Sequence, residues 1–257
     1  MKISVLPEGS YSVDSSKKFI PFDPEKDDPK SRPASLFIHV NPFLVKTEKE
    51  LILFDCGLGF AAENGKPLIH ENIRRAGYSP EDVSLVLMSH LHFDHSGGMV
   101  FEEHGLKQVS FPNATYVVQR GEWEAAYSGK SSSYHTDIFD VLQRSGHIHF
   151  VDGSGELANG INYELTGGHC QYHQAFLIKE NNETCFYGGD ILPEPEQLLR
   201  KFAAKYDFDG RKSMELREHY GKLAAENNWS CLYYHARNRT ITKVAIEENG
   251  FKIIFPA

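Results

Sequence analysis

The stretch that decides the fold of this chain is His90-Leu91-His92-Phe93-Asp94-His95-Ser96-Gly97-Gly98. It places three imidazoles and one carboxylate, all groups that can bind a metal, within a window of six residues. The apolar run Ser84-Leu85-Val86-Leu87-Met88-Ser89 comes directly before it and predicts a buried strand. A strand that ends in such side chains and a Gly-Gly turn predicts a rigidly held loop at a sheet edge, where metal chemistry is commonly positioned.

Imidazole and carboxylate ligands suit zinc, iron or manganese. His90 and His92 alternate with Leu91, so both imidazoles can point to one side, while Asp94 and His95 turn toward a second position. Four ligands so close in sequence crowd a single ion, and two ions about 3.5–4 Å apart are the easier geometry. The alternative is a histidine-rich surface loop, since the chain contains 13 His.

Further ligands are expected downstream, because an ion of this kind takes three or more protein ligands. Three later apolar stretches each end in a ligand-type residue. The first leads through Thr166-Gly167-Gly168 to His169, the second through Gly188-Gly189 to Asp190, and the third, residues 229–234, to His235. Each of these residues taken alone could equally be a hydrogen-bonded loop residue. Their joint order behind the first cluster favours a shared metal site.

The order H-x-H-x-D-H, T-x-G-H, G-G-D and a late His resembles the metallo-β-lactamase-fold hydrolases, with Leu51–Gly57 similar to that family's strand ending in D-x-G. The chain looks closest to the lactonase and organophosphate-hydrolase branch. This resemblance implies an α+β fold, a four-layer αββα sandwich in which two mixed β-sheets lie face to face with helices on both outer faces. We expect one domain over residues 1–257, with an N-terminal loop insertion around 11–35.

The resemblance also implies two metal positions. It places His90, His92 and His169 at the first position, Asp94, His95 and His235 at the second, and Asp190 as a bridge between them. Asp94 would in addition be the catalytic residue that receives or relays a proton. Asp55 would brace the motif, or alternatively cap a turn at the end of its strand. The implied cofactors are two divalent metal ions per chain, with zinc favoured and iron or manganese as alternatives.

The function implied is a dinuclear metal-dependent hydrolase whose metal-bridging hydroxide attacks a small ester, lactone or phosphoester. The lactonase branch often has a Tyr shortly after the bridging Asp, whereas Ile191-Leu192-Pro193-Glu194 follows Asp190 here, which argues against lactone specificity. The alternatives are a glyoxalase-II-like thioesterase, which Arg237 and Arg239 keep open, a mononuclear iron persulfide dioxygenase, and a non-enzymatic metal-binding sensor module. His173, near His169, could lie behind the ligands or face the substrate, and a structural role is the favoured alternative.

Net charge −8 and a sequence pI of about 5.9 disfavour a nucleic-acid surface, which needs a basic footprint. No stretch is apolar and long enough for a membrane span or a signal core, so we expect a cytoplasmic protein. Four widely separated cysteines are expected to be free core thiols. The expected partners are a small-molecule substrate and, as an option, a second copy in a homodimer, with no nucleic acid and no membrane.

Periodicity predicts helices at 67–77, 121–127, 136–145, 195–204 and 213–227. Strands are predicted at 37–40, 43–45, 51–54, 84–88, 115–118, 147–151, 161–165, 173–179, 183–187, 229–234, 240–246 and 251–255. Residues 21–33, rich in Pro and charge, predict an irregular surface loop. Residues 128–133 predict a flexible connector, or a lid that brings Tyr134 and His135 to the substrate.

Overall fold

The computed structural model describes residues 1–248 and 250–255. Its strands are β1 (Lys2–Val5), β2 (Gly9–Val13), β3 (Phe19–Pro21), β4 (Leu36–Val40), β5 (Phe43–Lys46), β6 (Leu51–Phe54), β7 (Leu85–Leu87), β8 (Val100–Glu103), β9 (Leu106–Val109), β10 (Thr115–Gln119), β11 (Ile148–Val151), β12 (Gly155–Glu156), β13 (Ile161–Leu165), β14 (Gln174–Glu180), β15 (Glu183–Tyr187), β16 (Ser230–Leu232), β17 (Ile241–Glu247) and β18 (Gly250–Ile254). The α-helices are α1 (Leu68–Arg75), α2 (Phe93–Ser96), α3 (Arg120–Tyr127), α4 (Thr136–Ser145) and α5 (Gly210–Glu226).

Two large mixed sheets form the centre of the fold. The first has the order β1-β5-β6-β7-β10-β11, and the second the order β12-β13-β14-β15-β16-β17-β18. In the first sheet β6, β7, β10 and β11 run parallel, and β1, β5 and β6 alternate in direction. In the second, the β15–β16 pair is parallel and the other pairs among the described strands are antiparallel. A three-stranded sheet (β3-β2-β4) and the β8–β9 hairpin complete the strands.

Alternating side chains divide the core into three layers. In β6, Ile52 and Phe54 point between the two sheets, while Leu51 and Leu53 point toward the helices that cover the first sheet. The second sheet does the same, with Tyr187 between the sheets and its neighbour Phe186 on the outer side. Strands buried on both faces need near-continuous apolar runs, and burying each large side chain stabilises the fold by about 1.5–3 kcal/mol.

The helices cover the two outer faces. α1 and α4 bury one side each, with Ile69 and Ile73 of α1 and Leu142 of α4 joining the cluster on the first sheet. Trp123 of α3 packs into the same cluster. α5 covers the second sheet through Tyr220 and Ala224. The predicted four-layer αββα sandwich is confirmed.

Most predicted elements are present within a residue or two of their expected bounds, but one predicted helix is not. The predicted helix at 195–204 is only a 3-10 turn over Pro195–Leu198, because the chain beyond it runs to the loop that carries His169, where the N–H of Phe208 donates to the carbonyl of His169. The segment around 11–35, expected as an N-terminal loop insertion, contains strand β3 and most of β2, and β2 pairs with β3 on one side and with β4 on the other.

None of the helices within the described residues has the length and apolarity needed to cross a bilayer.

Candidate metal centre

The predicted site residues follow the ends of four strands. β7 leads through Met88 and Ser89 to His90, β13 leads to His169, β15 to Asp190 and β16 to His235. β13 and β15 are both antiparallel to β14, and β16 is parallel to β15, so the carboxyl ends of β13, β15 and β16 meet at one edge. The face-to-face packing of the sheets brings that edge onto the loop after β7.

Three imidazoles form the first cluster. Ligand-type nitrogens of His90, His92 and His169 all lie within 4.8 Å of one another. Nδ1 of His92 and Nε2 of His169 are 3.1 Å apart. Tetrahedral zinc with bonds of about 2.0–2.1 Å places its ligand atoms roughly 3.3 Å apart, so the spacing suits one such ion.

A second cluster contains Asp94, His95 and His235, whose ligand-type atoms also lie within 4.8 Å of one another. Oδ2 of Asp94 is 3.6 Å from Nε2 of His235 and 3.8 Å from Nε2 of His95. Asp190 stands between the clusters: its Oδ1 is 3.2 Å from Nε2 of His95 and its Oδ2 is 3.3 Å from Nε2 of His169. The structure therefore brings all seven predicted residues together.

Buried polar atoms without a hydrogen-bond partner test whether these residues fit a metal. Nε2 of His90, Nε2 of His95 and Oδ1 of Asp190 are buried, and none makes a hydrogen bond of acceptable geometry among the described residues, the 3.2 Å approach of Oδ1 to Nε2 of His95 included. An unsatisfied buried polar atom costs about 1–3 kcal/mol, and native structures keep few of them. Three of them at one point, all with lone pairs available for donation, fit a cation.

The electrostatics of the two clusters differ. Burial, and then the neighbouring His95, hold the pKa of His90 well below its ordinary value, and burial lowers the pKa of His92 in the same way. Burial opposes protonation of His95 too, but the carboxylates led by Asp190 outweigh it and hold that pKa well above the ordinary value. The first cluster thus offers neutral imidazoles, the form that binds a metal. The second cluster contains carboxylates that favour a positive charge nearby. Both properties suit the binding of two cations.

Each of the four imidazoles at His90, His95, His169 and His235 has an outer partner on Nδ1. His95 pairs with Asp55 Oδ2 at 2.7 Å and His169 with Asp207 Oδ1 at 2.9 Å. His235 lies 2.6 Å from the carbonyl oxygen of His39, and His90 lies 3.0 Å from the hydroxyl of Ser89. Such partners fix the ring orientation and leave Nε2 free to face the site.

Asp55 braces the motif, as one of the two interpretations of the sequence had it. Its carboxylate is fully buried and accepts from the N–H of Ser89 at 2.7 Å and from the Ser89 hydroxyl at 2.6 Å. It also accepts from the hydroxyl of Tyr187 at 2.5 Å. With His95 it thus ties β6, β7, β15 and the motif together. Its φ of 52° is left-handed, a conformation that Asp tolerates better than most residues.

Gly189 allows the close approach that this convergence requires. With φ at 48°, a Cβ there would lie 2.7 Å from both Nε2 of His173 and Cβ of Ser89. Gly98, behind the motif, is similarly confined, because a Cβ would lie 2.0 Å from the carbonyl oxygen of Cys56. Both glycines are therefore needed for packing of the loops that carry the site.

His173 is structural, as favoured from the sequence. It is fully buried, its Nδ1 is 2.7 Å from the hydroxyl of Thr166, and its Nε2 accepts from the N–H of Asp190 at 3.1 Å. Cys170 is a buried free thiol that donates to Glu122 at 3.2 Å. All four cysteines are buried and free, as expected.

Residues 131–135 lie against the motif, consistent with the interpretation that Tyr134 and His135 face the site. The carbonyl of Ser133 accepts from the N–H of Phe93 at 2.9 Å. The ring of Tyr134 is 5.1 Å from that of His92, and His135 stacks on Phe93 at 4.0 Å. Phe19, Phe60, Phe93 and His135 form a half-buried aromatic wall, with Phe93 6.0 Å from Phe19 and 6.4 Å from Phe60.

Several residues around the site were missed from the sequence. Glu122 accepts from the N–H of Leu91 at 3.2 Å and from the hydroxyl of Tyr134 at 2.9 Å, and burial raises its pKa. Tyr234 stacks on His95 at 4.1 Å and donates to the carbonyl of Asp94. Glu122, Tyr234 and Asp207 belong to none of the sequence motifs described above. The signal that could have found Tyr234 is its position next to His235.

Comparison with known proteins agrees with this geometry. A sequence profile of the metallo-beta-lactamase superfamily matches residues 37–227. An N-acyl homoserine lactonase of Bacillus sp is 30% identical over 156 residues, which are 53% of this chain and 57% of that protein. The chain thus matches little more than half the length of that curated relative.

Two solved structures cover nearly the whole chain. A probable metal-dependent hydrolase from Staphylococcus aureus has a TM-score of 0.79 and 22% identity over 99% of this chain and 96% of its own. AidC, described as a dizinc quorum-quenching lactonase, has a TM-score of 0.72 and 19% identity over 99% of this chain and 94% of its own. At these identities the likeness concerns the fold. Because the profile matches more than half of the chain, the protein belongs to the metallo-β-lactamase superfamily, as its motifs predicted.

Proposed function

We propose that this protein is a metal-dependent hydrolase that binds two divalent cations and cleaves an ester or lactone carrying an apolar acyl group. The observation that carries the proposal is the position of Asp190, with one carboxylate oxygen toward the three-histidine cluster and the other toward the cluster of Asp94, His95 and His235. This arrangement supports a bridge between two ions rather than two separate sites.

The chain's residues then divide into roles. His90, His92 and His169 would hold the first ion, and Asp94, His95 and His235 the second, with zinc the favoured metal. When bound, divalent cations at these positions supply an activated water and stabilise the negative charge that develops on a carbonyl oxygen. Asp94, with 13% of its side chain exposed, would hold the proton released in the reaction and pass it to the leaving oxygen.

The aromatic wall is the reason for proposing a substrate with an apolar acyl group. Phe93 stands between His92 and Asp94 in the H-x-H-x-D-H motif, and its ring lies 6.0 Å from that of Phe19 in the N-terminal sheet. Apolar rings left half-buried beside polar ligands are typical of small-molecule sites. N-acyl homoserine lactones, the substrates named for the curated relatives, have such a group and are the first compounds to test.

Two tyrosines lie beside the first cluster even though no Tyr follows Asp190 closely. Tyr206 has its ring 6.1 Å from that of His169, and Tyr134 has its ring 5.1 Å from that of His92. Two other tyrosines are engaged elsewhere: Tyr187 donates to Asp55 and Tyr233 accepts from Thr242. Lactone cleavage therefore remains within the proposed function.

The two arginines that kept the thioesterase alternative open lie beside other side chains at the surface. Arg237 pairs with Glu25, and Arg239 lies 3.9 Å from Glu196 and over the ring of Phe255. Both guanidinium groups thus already have acidic or aromatic neighbours. A thioester nevertheless belongs in the substrate panel, because the metal positions would serve it equally well.

The experiment is a hydrolysis panel with defined metal content. The protein is stripped with chelator, reloaded separately with Zn²⁺, Mn²⁺ and Fe²⁺, and offered N-acyl lactones and p-nitrophenyl esters of increasing chain length, together with a thioester and a phosphotriester. We expect ester or lactone turnover that needs metal, rises with chain length and is abolished in His90→Ala. Asp152→Asn, at an exposed carboxylate paired with Arg120, is the matched control and should behave as wild type. Metal-loaded protein that cleaves no ester or lactone would refute the proposal.

A further inference from the structure

Two carboxylates each lie within hydrogen-bond distance of Nδ1 of a histidine in the site, and they come from opposite sides of the fold. Asp55, at the end of β6 in the first sheet, lies behind His95 of the second cluster. Asp207, in the segment that leads into α5 on the second sheet, lies behind His169 of the first cluster, with 2.9 Å between its Oδ1 and Nδ1 of His169. His90, by contrast, has only the Ser89 hydroxyl on Nδ1.

Arg217 of α5 holds Asp207 in place. The Nη2 of Arg217 lies 3.5 Å from Oδ2 of Asp207, and the side chains are only 5% and 2% exposed. The remaining guanidinium donors bind Gln197 Oε1 at 2.9 Å and the carbonyl of Ser213 at 3.1 Å. Its guanidinium also lies 4.5 Å from the ring centroid of Phe202. A buried carboxylate without its cation is costly, so the pair fixes the position of both groups.

The segment around Asp207 is also tied directly to the ligand loop. The N–H of Phe208 donates to the carbonyl of His169 at 2.9 Å, and the N–H of Asp209 donates to the carbonyl of Gly168 at 2.7 Å. Asp207 points inward, while its neighbours Tyr206 and Phe208 are 48% and 70% exposed. Anchoring Asp207 therefore also sets where Tyr206 stands beside His169.

We propose that Asp207, held by Arg217, is a positioning residue that orients His169 for the first metal position and keeps Tyr206 at the mouth of the site. The inference rests on the proposed function. The inference concerns the affinity of one of the two metal positions. The Asp207 variants should therefore lower the affinity for one zinc ion and leave the affinity for the other unchanged. Outer partners of ligating histidines typically change metal affinity by about 10–100-fold.

The test measures zinc affinity, without reference to turnover, by competition against a chromophoric chelator. We expect Asp207→Ala to weaken one of two zinc equivalents by about 10–100-fold, and Asp207→Asn to weaken it less, because an amide oxygen can still accept from Nδ1. The visible spectrum of the Co²⁺-loaded protein should change in Asp207→Ala for the same equivalent. Arg217→Met should weaken it in the same direction, and the double variant should lose no more than Asp207→Ala alone.

Asp209→Ala is the matched control from the same segment. Asp209 Oδ1 accepts from the N–H of Lys212 at 2.9 Å and caps α5, so its loss should lower stability while zinc affinity stays at the wild-type value. Equal loss of affinity in Asp209→Ala and Asp207→Ala would assign the effect to segment order and overturn the inference. So would wild-type affinity in Asp207→Ala. Wild-type protein that binds none of Zn²⁺, Mn²⁺ and Fe²⁺ would instead overturn the proposed function.

Discussion

Replacing Asp55 by alanine removes the acceptor of four hydrogen bonds at once. The donors are the N–H and hydroxyl of Ser89, the hydroxyl of Tyr187 and Nδ1 of His95, all within 2.7 Å of a carboxylate oxygen. The Ser89 hydroxyl can turn to Nδ1 of His90, which is already 3.0 Å away. The Ser89 amide and the Tyr187 hydroxyl have no such alternative in the contacts described.

Each stranded buried donor costs about 1–3 kcal/mol, and alanine at the left-handed φ of 52° adds about 1 kcal/mol. We therefore expect Asp55→Ala, which strands two such donors, to lower the free energy of unfolding by about 3–7 kcal/mol, a large part of the roughly 5–15 kcal/mol typical of a domain. Asp55→Asn should cost less, since Asn tolerates this φ and keeps one acceptor oxygen. Tyr187→Phe removes a single donor and should cost about 1 kcal/mol.

The assay is urea unfolding of metal-free protein in chelator, followed by far-UV circular dichroism, so that loss of metal binding cannot contribute to the difference. Asp55→Ala should shift the midpoint strongly with little change in slope. A metal-free Asp55→Ala protein within about 1 kcal/mol of wild type would refute the hydrogen-bond argument. Tyr187→Phe as costly as Asp55→Ala would show instead that Tyr187 packing, and not the shared carboxylate, holds these strands together.

Two other perturbations test different parts of the structure. Burial raises the pKa of the Glu8 carboxyl to about 8 from its ordinary 4.5. Between pH 4.5 and pH 8 the folded state therefore keeps a proton that the unfolded state has released. The free energy of unfolding should fall by roughly 4 kcal/mol as the pH rises through this range. Glu8→Gln should remove that slope, and urea midpoints at about pH 5 and pH 8.5 that shift equally in both proteins would contradict it. Asp190→Ala should lower the metal content from about two ions per chain to about one; elemental analysis that finds it unchanged would exclude a bridging role.

The sequence predicted most of the centre because its signals are local. H-x-H-x-D-H directly after an apolar run, and three further strand ends that carry His or Asp, needed no knowledge of distant contacts. The strands of the two large sheets were recognisable for a similar reason, since apolar runs such as Leu51–Phe54 are buried on both faces. Where local signals fell short, the cause was tertiary. β2 is stabilised by pairing with β4, and β3 by pairing with β2, although charged sequence typical of a loop separates these strands.

By itself the sequence thus determined the family, the order of the strands that carry ligands and the identity of the seven candidate ligands. Only the tertiary structure decided which groups stand behind and around them. In the sequence, Asp207 lies 38 residues from His169. Glu122 lies 31 residues from Leu91 and accepts a hydrogen bond from its N–H. No periodicity connects such pairs, because their contact depends on how two sheets and α5 pack. The same holds for the aromatic wall, which joins Phe19 of the N-terminal sheet to Phe93 of the motif.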